Sequence, residues 1–249
     1  MNIRPIFHKG HKGRGILLIH GFTGSPLELK PLVDHFRGIG YSLYVPLLAG
    51  HGTTPEEMRR TNRFDWFQSV EEGYEQLLQA GNQVIYAAGL SMGGLLALQL
   101  ARKYPLRAIA TLSSPIFVHD KRIRHSRWLK YILPYKRRTE RKAPHIENNI
   151  VAYPKTPLSC IHSLHELIEE VKNQLSQIHT PIMVVQGNKD ETVDPLSADY
   201  IYNHIGSNYK RIHHYPNSSH IITLDHDRYQ LFSDMAHFFE EVTLQVEGK

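Results

Sequence analysis

The chain has 249 residues, with 29 Lys and Arg against 24 Asp and Glu, and a single cysteine, Cys160. This length suits one large domain, and 41% hydrophobic and 10% aromatic residues exclude a mainly disordered chain. One cysteine excludes an internal disulfide framework and a zinc site built on several thiolates, and it suits a reducing compartment. The first residues contain no apolar signal segment, so we expect a soluble, cytoplasmic protein.

Short apolar runs alternate with helical patterns along most of the chain, which indicates an α/β fold with a mostly parallel sheet. We predict strands at residues 15–19, 41–45, 84–88, 107–112, 181–185 and 210–215. Helices are predicted at about 25–37, 64–79, 92–103 and 228–241. The segments 25–28 and 54–57, Ser-Pro-Leu-Glu and Thr-Pro-Glu-Glu, both match the capping box that begins a helix.

The interval between residues 115 and 180 does not follow this alternation, because a crossover between parallel strands needs only a dozen or so residues. Apolar residues recur at spacings of three and four from Leu158 to Ile178, which predicts a long helix. We interpret the chain, 1–249, as one domain with an inserted cap at residues 116–178.

Seventeen histidines raise the question of a metal site. His162 and His165 form one close pair, and His213 and His214 form another. However, the sequence has no His-Glu-x-x-His, and adjacent residues of a strand point to opposite faces. We therefore expect surface or hydrogen-bonded core histidines and no metal.

The segment 89–93, Gly-Leu-Ser-Met-Gly, matches the Gly-x-Ser-x-Gly turn that presents a nucleophilic serine between a strand and a helix. The pattern alone is weak, but a β-branched strand precedes it and an apolar helix follows it. Glycine is needed two residues either side of Ser91, because a Cβ there would collide with neighbouring backbone. We identify Ser91 as the candidate nucleophile.

A serine nucleophile needs a base within hydrogen-bonding reach, and the base needs an acid that orients it. In this type of fold the order along the chain is Ser, then Asp or Glu, then His. Asp190 follows the strand predicted at 181–185, and His220 follows the strand predicted at 210–215. Asp194 competes with Asp190, but Asp194 precedes a proline and so resembles a helix N-cap. We favour Asp190 as the acid and His220 as the base.

Acyl transfer develops a negative oxygen, so the site also needs N–H donors placed in advance. In this fold one donor follows the first long strand, and the other belongs to the residue after the nucleophile. This assigns the backbone N–H groups of Phe22 and Met92. Met92 also begins a helix, whose dipole favours negative charge at its N-terminus.

Taken together, several segments resemble the bacterial carboxylesterase and monoacylglycerol lipase family of α/β-hydrolases. They are His-Gly-Phe-Thr-Gly at 20–24, Gly-His-Gly at 50–52, Gly-Leu-Ser-Met-Gly-Gly at 89–94, Gly-Asn-Lys-Asp at 187–190 and Ser-His at 219–220. The resemblance spans about residues 14–241. It implies an α/β-hydrolase fold with a small cap, hydrolysis of short- to medium-chain carboxylic esters, and no metal or organic cofactor. Thioesterase or acyltransferase activity on the same fold stays an alternative, as does a non-catalytic ligand-binding receptor.

The positive charge is concentrated at residues 121–142, which contain ten Lys and Arg and one acid, Glu140. Removing this +9 from the net charge of +5 leaves −4, a distribution unlike that of a nucleic-acid binder. Trp128 and Tyr131 lie inside this basic run, a pattern typical of weak contact with an anionic lipid surface. We favour the alternative, in which the apolar side lines the acyl pocket and the cations are simply solvated. As partners we expect a small-molecule ester, no nucleic acid, and a monomer or weak homodimer.

Overall fold

The computed structural model describes residues 3–139 and 141–247. Nine strands are found in this part of the chain: β1 (Ile6–His8), β2 (Arg14–Ile19), β3 (Ser42–Val45), β4 (Val84–Leu90), β5 (Ile109–Leu112), β6 (Tyr135–Arg137), β7 (Lys155–Pro157), β8 (Ile182–Gly187) and β9 (Lys210–Tyr215). Seven of them form the main sheet in the order β1-β3-β2-β4-β5-β8-β9. All neighbours in this sheet are parallel except β1 and β3. The short strands β6 and β7 pair separately and antiparallel.

The first eight helices of the described residues lie between these strands along the chain, and the ninth follows the last strand. They are α1 (Lys30–Gly38), α2 (Pro55–Met58), α3 (Arg63–Gln79), α4 (Met92–Lys103), α5 (Ser126–Leu129), α6 (Pro144–Glu147), α7 (Leu158–Gln174), α8 (Leu196–His204) and α9 (Arg228–Glu247). No helix in residues 3–139 and 141–247 combines the length and the apolar character needed to cross a membrane.

Both faces of the main sheet are buried, and β2 shows why. Leu17 and Ile19 pack into a core with residues of α3, α4 and α7, while Ile16 and Leu18 pack into a second core with residues of α1 and α9. Successive side chains of a strand point to opposite faces, so a strand covered by helices on both sides is apolar at every position. The continuous apolar runs of the sequence therefore mark the centre of the sheet.

The predicted fold class is confirmed, and each of the six predicted strands is present. Strand β9 and helix α4 have the predicted bounds, and helix α3 begins one residue earlier, at Arg63. The sequence analysis missed β1, β6 and β7, each of which has three residues. Three residues are too few to show the alternation by which a strand is recognised.

The capping-box prediction at residues 25–28 is wrong. Ser25 makes no side-chain cap, Pro26–Leu29 forms a 3₁₀ turn, and α1 begins only at Lys30. At residues 54–57 the first half of the pattern is present, because the Thr54 hydroxyl accepts the Glu57 N–H at 3.2 Å. The helix that it caps, α2, has only four residues.

Residues 116–178 lie between β5 and β8 and contain α5, β6, α6, β7 and α7. Helix α7 joins this segment to the main body, because it packs against α3 and α4 and shares their core. The Ser163 hydroxyl accepts the Arg63 N–H at 2.9 Å, and Glu166 pairs with the Arg63 guanidinium at 2.9 Å. The start of α3 thus holds one end of the inserted segment beside the carboxyl edge of the sheet.

Candidate active site

Ser91 lies on a sharp turn between β4 and α4. Its φ is 55° and its ψ is −120°, a backbone conformation that costs a non-glycine residue free energy. The Ser91 N–H donates to the Leu112 carbonyl of the neighbouring strand at 2.7 Å, which ties the turn to the sheet. The side chain consequently stands at the carboxyl edge of the sheet, and it lines the cavity there.

The two glycines of the Gly-x-Ser-x-Gly segment are required by close backbone packing. A Cβ on Gly89 would lie 2.0 Å from the Gly93 carbonyl group, and a Cβ on Gly93 would lie 2.1 Å from the Ile19 carbonyl oxygen. Neither neighbour can move aside, because both are backbone atoms inside the sheet and its helix. The sequence-based reason for these glycines is therefore confirmed.

Asp190 and His220 meet at this same edge, on the loops that follow β8 and β9. The His220 Nδ1 lies 2.9 Å from Asp190 Oδ2. Asp190 also accepts the N–H groups of Thr192 and Val193, at 2.9 and 2.8 Å, and the side-chain amide of Gln186 at 2.9 Å. The three donors other than His220 fix the position of the carboxylate, and the carboxylate in turn holds the His220 ring.

Burial by itself would raise the pKa of Asp190, but the interaction with His220 and the hydrogen bonds from Val193 and Thr192 lower it below its usual range. An ionised carboxylate can only accept hydrogen bonds, so the nitrogen that faces it, Nδ1 of His220, carries the hydrogen. In the neutral ring with its hydrogen on Nδ1, the other nitrogen, Nε2, has a free lone pair. That is the form in which histidine acts as a base.

Asp194, the competing acid, lies elsewhere in the same loop. Its Oδ1 accepts the N–H of Leu196, the first residue of α8, at 3.0 Å. The helix begins one residue later than predicted, but Asp194 still satisfies one of its free N–H groups. Of the two aspartates, the structure brings Asp190 to His220.

The segment 20–24 forms a tight turn directly after β2. The Gly24 N–H donates to the Gly21 carbonyl at 3.1 Å, and Thr23 has a φ of 61°. Phe22 lies at the corner of this turn and lines the same cavity as Ser91. Met92 is the first residue of α4, so its N–H has no acceptor within the helix.

Two buried histidines, His20 and His51, lie beside this turn. The sequence analysis gives neither of them an individual role. His20 Nδ1 bonds the Gly21 carbonyl at 2.9 Å, and its Nε2 accepts the Leu48 N–H at 3.2 Å. Burial and the neighbouring His51 lower the pKa of His20 to about 3, and burial lowers that of His51 to about 4. Both rings are therefore neutral, as expected for hydrogen-bonded core histidines.

Ser91, His220 and Phe22 border a cavity of about 490 Å³. Its floor belongs to the loops at the sheet edge, and its walls come from the inserted segment. The apolar wall residues include Val118, Ile123, Leu129, Leu133, Leu158, Ile161 and Leu164. The volume and the apolar lining are those of a site for a small organic molecule.

A second cleft, of about 410 Å³, lies on α3, α4 and α7 and contains none of these groups. The acid that lines it, Glu170, is already engaged, since it bonds Arg63 at 3.3 Å and Gln99 at 3.1 Å. It offers neither a nucleophile nor an unpaired acid, so the chemistry belongs to the first cavity.

One further group of side chains within residues 3–139 and 141–247 could hold a metal ion, namely His145, Asp225 and His226. Asp225 Oδ1 lies 2.9 Å from His145 Nε2 and also accepts the His226 N–H at 2.8 Å, while Oδ2 accepts the Ser219 N–H at 2.8 Å. The carboxylate already has hydrogen-bond partners on both oxygens. The cluster ties α6 of the inserted segment to the loop that bears His220.

Glu28 is the residue at this site whose role the sequence analysis missed. The sequence predicts a capping-box role for it, yet its carboxylate accepts the Gly21 N–H at 3.3 Å. It is buried and lines the cavity together with Ser91. No local pattern could show this, because the contact depends on how the turn after β2 folds back.

A mostly parallel sheet that carries a serine on a strand-to-helix turn, with an Asp–His pair on the following loops, defines the α/β-hydrolases. Comparisons with known proteins agree with this class. Residues 10–227 match the family model described as Serine aminopeptidase, S33. The chain is 33% identical over 239 residues to a carboxylesterase of Bacillus subtilis, which covers 96% of this chain and 97% of the relative. It is 35% identical over 232 residues to a thermostable monoacylglycerol lipase of Bacillus sp., which covers 90% of each.

Among solved structures, one from a study of the metagenome-derived lipolytic enzymes LipS and LipT superposes with a TM-score of 0.89. It is 28% identical and covers 96% of this chain and 97% of the other. A soluble variant of monoglyceride lipase from Saccharomyces cerevisiae has a TM-score of 0.80 over 96% of this chain and 90% of the other, and at 19% identity it shows the shared fold. The chain belongs to the carboxylesterase and monoacylglycerol lipase family of α/β-hydrolases, and it is a serine hydrolase of carboxylic esters.

Proposed function

We propose that the protein cleaves short- to medium-chain acyl esters through an acyl-enzyme on Ser91. His220 Nε2 takes the hydroxyl proton as the Ser91 oxygen attacks the ester carbonyl, and the N–H groups of Phe22 and Met92 bind the oxyanion. His220 then gives its proton to the leaving alkoxide, which departs as an alcohol. Water repeats the two steps, releasing the carboxylic acid and restoring the serine. Asp190 orients His220 and stabilises its charged form.

The observation that carries this proposal is the 2.9 Å contact between Asp190 and His220 at the edge of a cavity that Ser91 also lines. The apolar walls of that cavity offer a binding surface for an acyl chain, since burial of apolar area is favourable at about 25 cal/mol per Å². A cavity of about 490 Å³ supports chains of short to medium length.

The test is a series of p-nitrophenyl esters and 1-monoacylglycerols with acyl chains from acetyl to palmitoyl. We expect kcat/KM to rise with each added methylene by up to about fourfold, the equivalent of about 0.8 kcal/mol, and then to fall once the chain exceeds the cavity. A value that still rises at palmitoyl would contradict the chain-length preference, and no hydrolysis of any ester would contradict the function.

A thioesterase acting on acyl-coenzyme A is the second candidate, because the cavity is also lined by Arg122, Lys136, Arg137, Arg138 and Lys142. Most of these cations already have acidic partners. Asp120 pairs with Arg122 and Lys136, Glu147 pairs with Arg138, and Glu191 pairs with Lys142. This pairing favours the ester over a polyphosphate substrate. Acyl-coenzyme A compared with the p-nitrophenyl ester of the same acyl chain separates the two.

We further propose that the outer side of the cap, residues 116–178, makes weak contact with anionic lipid. Trp128, Tyr131 and Ile132 are 67%, 79% and 76% exposed, although Leu129 beside them lines the cavity. Arg127 and Lys130 lie over the Trp128 and Tyr131 rings, at 5.4 and 5.3 Å, so cations and exposed apolar groups share one surface. Each cation near an anionic membrane contributes about 1 kcal/mol. The oligomeric state and the cytoplasmic location stay predictions from the sequence.

Vesicles with and without phosphatidylglycerol test this contact. We expect sedimentation with the anionic vesicles only, and its loss at high salt, because the attraction is screened within about 10 Å at 0.1 M ionic strength. Arg124, Arg127 and Lys130 changed together to Glu should abolish binding, whereas Lys9, Lys30 and Arg37 changed together to Glu, a matched control on another surface, should not. Equal binding to neutral vesicles would show that the basic segment is only solvated.

A further inference from the structure

Glu28 is a buried carboxyl group that the proposed reaction does not use. It is 6% exposed, lies in the 3₁₀ turn Pro26–Leu29, and contacts both ends of the turn that carries Phe22. At one end it accepts the Gly21 N–H at 3.3 Å. At the other it packs so closely on Gly24 that a Cβ there would lie 2.3 and 2.4 Å from its two oxygens.

The turn between those two contacts is conformationally costly. The Gly24 N–H closes it onto the Gly21 carbonyl, and Thr23 adopts a φ of 61°, which only glycine adopts without cost. Such a conformation persists only where the surroundings impose it. Glu28 supplies part of these surroundings, and Phe22, whose N–H is the proposed oxyanion donor, lies inside the turn.

We propose that Glu28 is a positioning residue that holds the Phe22 N–H toward the oxyanion, and that it does so while protonated and uncharged. This inference rests on the proposed function, because the oxyanion forms only if Ser91 attacks a carbonyl group. In the protonated form one oxygen still accepts the Gly21 N–H. The carboxyl group then braces the turn without placing a negative charge beside the site where another negative charge develops.

The closeness of the two sites makes the charge of Glu28 matter. The position that a Cβ on Gly21 would occupy lies 3.5 Å from Glu28 Oε2 and 3.5 Å from Ser91 Cβ. An ionised Glu28 would therefore repel the oxyanion across a short, largely buried distance, where charges interact more strongly than in water.

The charged and titratable groups around Glu28 do little to neutralise it. Lys142 of the cap borders the same cavity, but it forms an ion pair with Glu191. His20 beneath the turn is neutral, and His220 across the cavity is engaged by Asp190. Burial raises the pKa of Glu28 to about 7, against the opposite effects of the Gly21 N–H and the charge of Lys142. The carboxyl group thus changes charge close to neutral pH.

The test compares Glu28→Ala, Glu28→Gln and a charge-matched control, Glu75→Gln on the exposed face of α3, in hydrolysis of a soluble short-chain ester. We expect Glu28→Ala to lower kcat by about 10- to 100-fold with KM changed less than about threefold, because the lost contribution is to the transition state. Glu28→Gln is uncharged and keeps an acceptor for the Gly21 N–H, so it should restore kcat to within about threefold of wild type.

The pH profile separates positioning from mere structural support. Wild type and Glu75→Gln should lose about tenfold in kcat between about pH 7 and pH 9 as Glu28 ionises, whereas Glu28→Gln should show no such decline. An Ala variant that is folded by circular dichroism and retains kcat within twofold would overturn the positioning role. The same alkaline decline in Glu28→Gln as in wild type would overturn the requirement for a protonated Glu28.

The Ser91→Ala variant distinguishes this proposal from the function on which it rests. Hydrolysis that persists in Ser91→Ala would overturn both the proposed function and the role of Glu28. Hydrolysis that requires Ser91 but does not respond to any change at Glu28 would overturn the role of Glu28 alone.

Discussion

Replacement of Ser91 by alanine is expected to lower kcat for ester hydrolysis by roughly four to six orders of magnitude, because nucleophile, base and acid act as a unit. The fold should be unaffected. Alanine removes only the hydroxyl oxygen from a cavity-facing position, and the Ser91 N–H that bonds Leu112 is kept. Steady-state kinetics on a p-nitrophenyl ester, with circular dichroism to monitor the fold, measures this.

The matched control is Ser176→Ala, which removes a hydroxyl group from an exposed position on the 3₁₀ turn Leu175–Gln177 and should leave kcat as in wild type. A fluorophosphonate reagent should modify wild type and the control, and it should not modify the Ser91 variant. A Ser91→Ala enzyme with a tenth of the wild-type kcat would exclude this serine as the nucleophile.

Replacement of Asp190 by asparagine should lower kcat by about four orders of magnitude, a magnitude taken from the corresponding change in other serine hydrolases. An amide in this position can donate to His220 Nδ1, which favours the tautomer with the hydrogen on Nε2, and this tautomer cannot accept the serine proton. The side chains have nearly the same volume, so the loss would reflect electronic rather than steric effects.

Asp194→Asn is the matched control for that change, because the two aspartates lie in one loop and have the same shape. An asparagine at 194 still accepts the Leu196 N–H, so we expect kcat to fall less than about threefold and stability to change little. If Asp194→Asn were the severe variant and Asp190→Asn the mild one, the acid would be Asp194.

The choice between these two aspartates shows which parts of the site the sequence could predict. The Asp194-Pro195 pair has a local meaning, a helix start, and the structure bears this out to within one residue. Asp190 has no local pattern of its own. Its assignment depended on the order of nucleophile, acid and base along the chain, and the geometry that supports it comes from four donors, one of them 30 residues away.

The wrong prediction at residues 25–28 shows that a local sequence pattern can also mislead. The Ser-Pro-Leu-Glu pattern is the same whether the glutamate caps its own helix or bonds another segment, because a capping box is defined only by residue types three positions apart. In this chain the Glu28 carboxyl group instead accepts the Gly21 N–H, which the turn after β2 brings within 3.3 Å. A tertiary contact thus displaced a local one.

The sequence by itself determined the features that depend on residues close to one another along the chain. The alternation of apolar runs and helical patterns predicted the parallel sheet, and the glycines on either side of Ser91 predicted a turn too tight for a Cβ. Only the tertiary structure decided which groups meet once the chain folds back on itself: His220 with Asp190, Glu28 with the turn at Gly21, and the inserted segment with the rim of the cavity. The physical reason is that the carboxyl ends of parallel strands share one edge of the sheet. Loops far apart in the chain converge at that edge, and a contact there depends on the packing of the whole sheet rather than on any one segment.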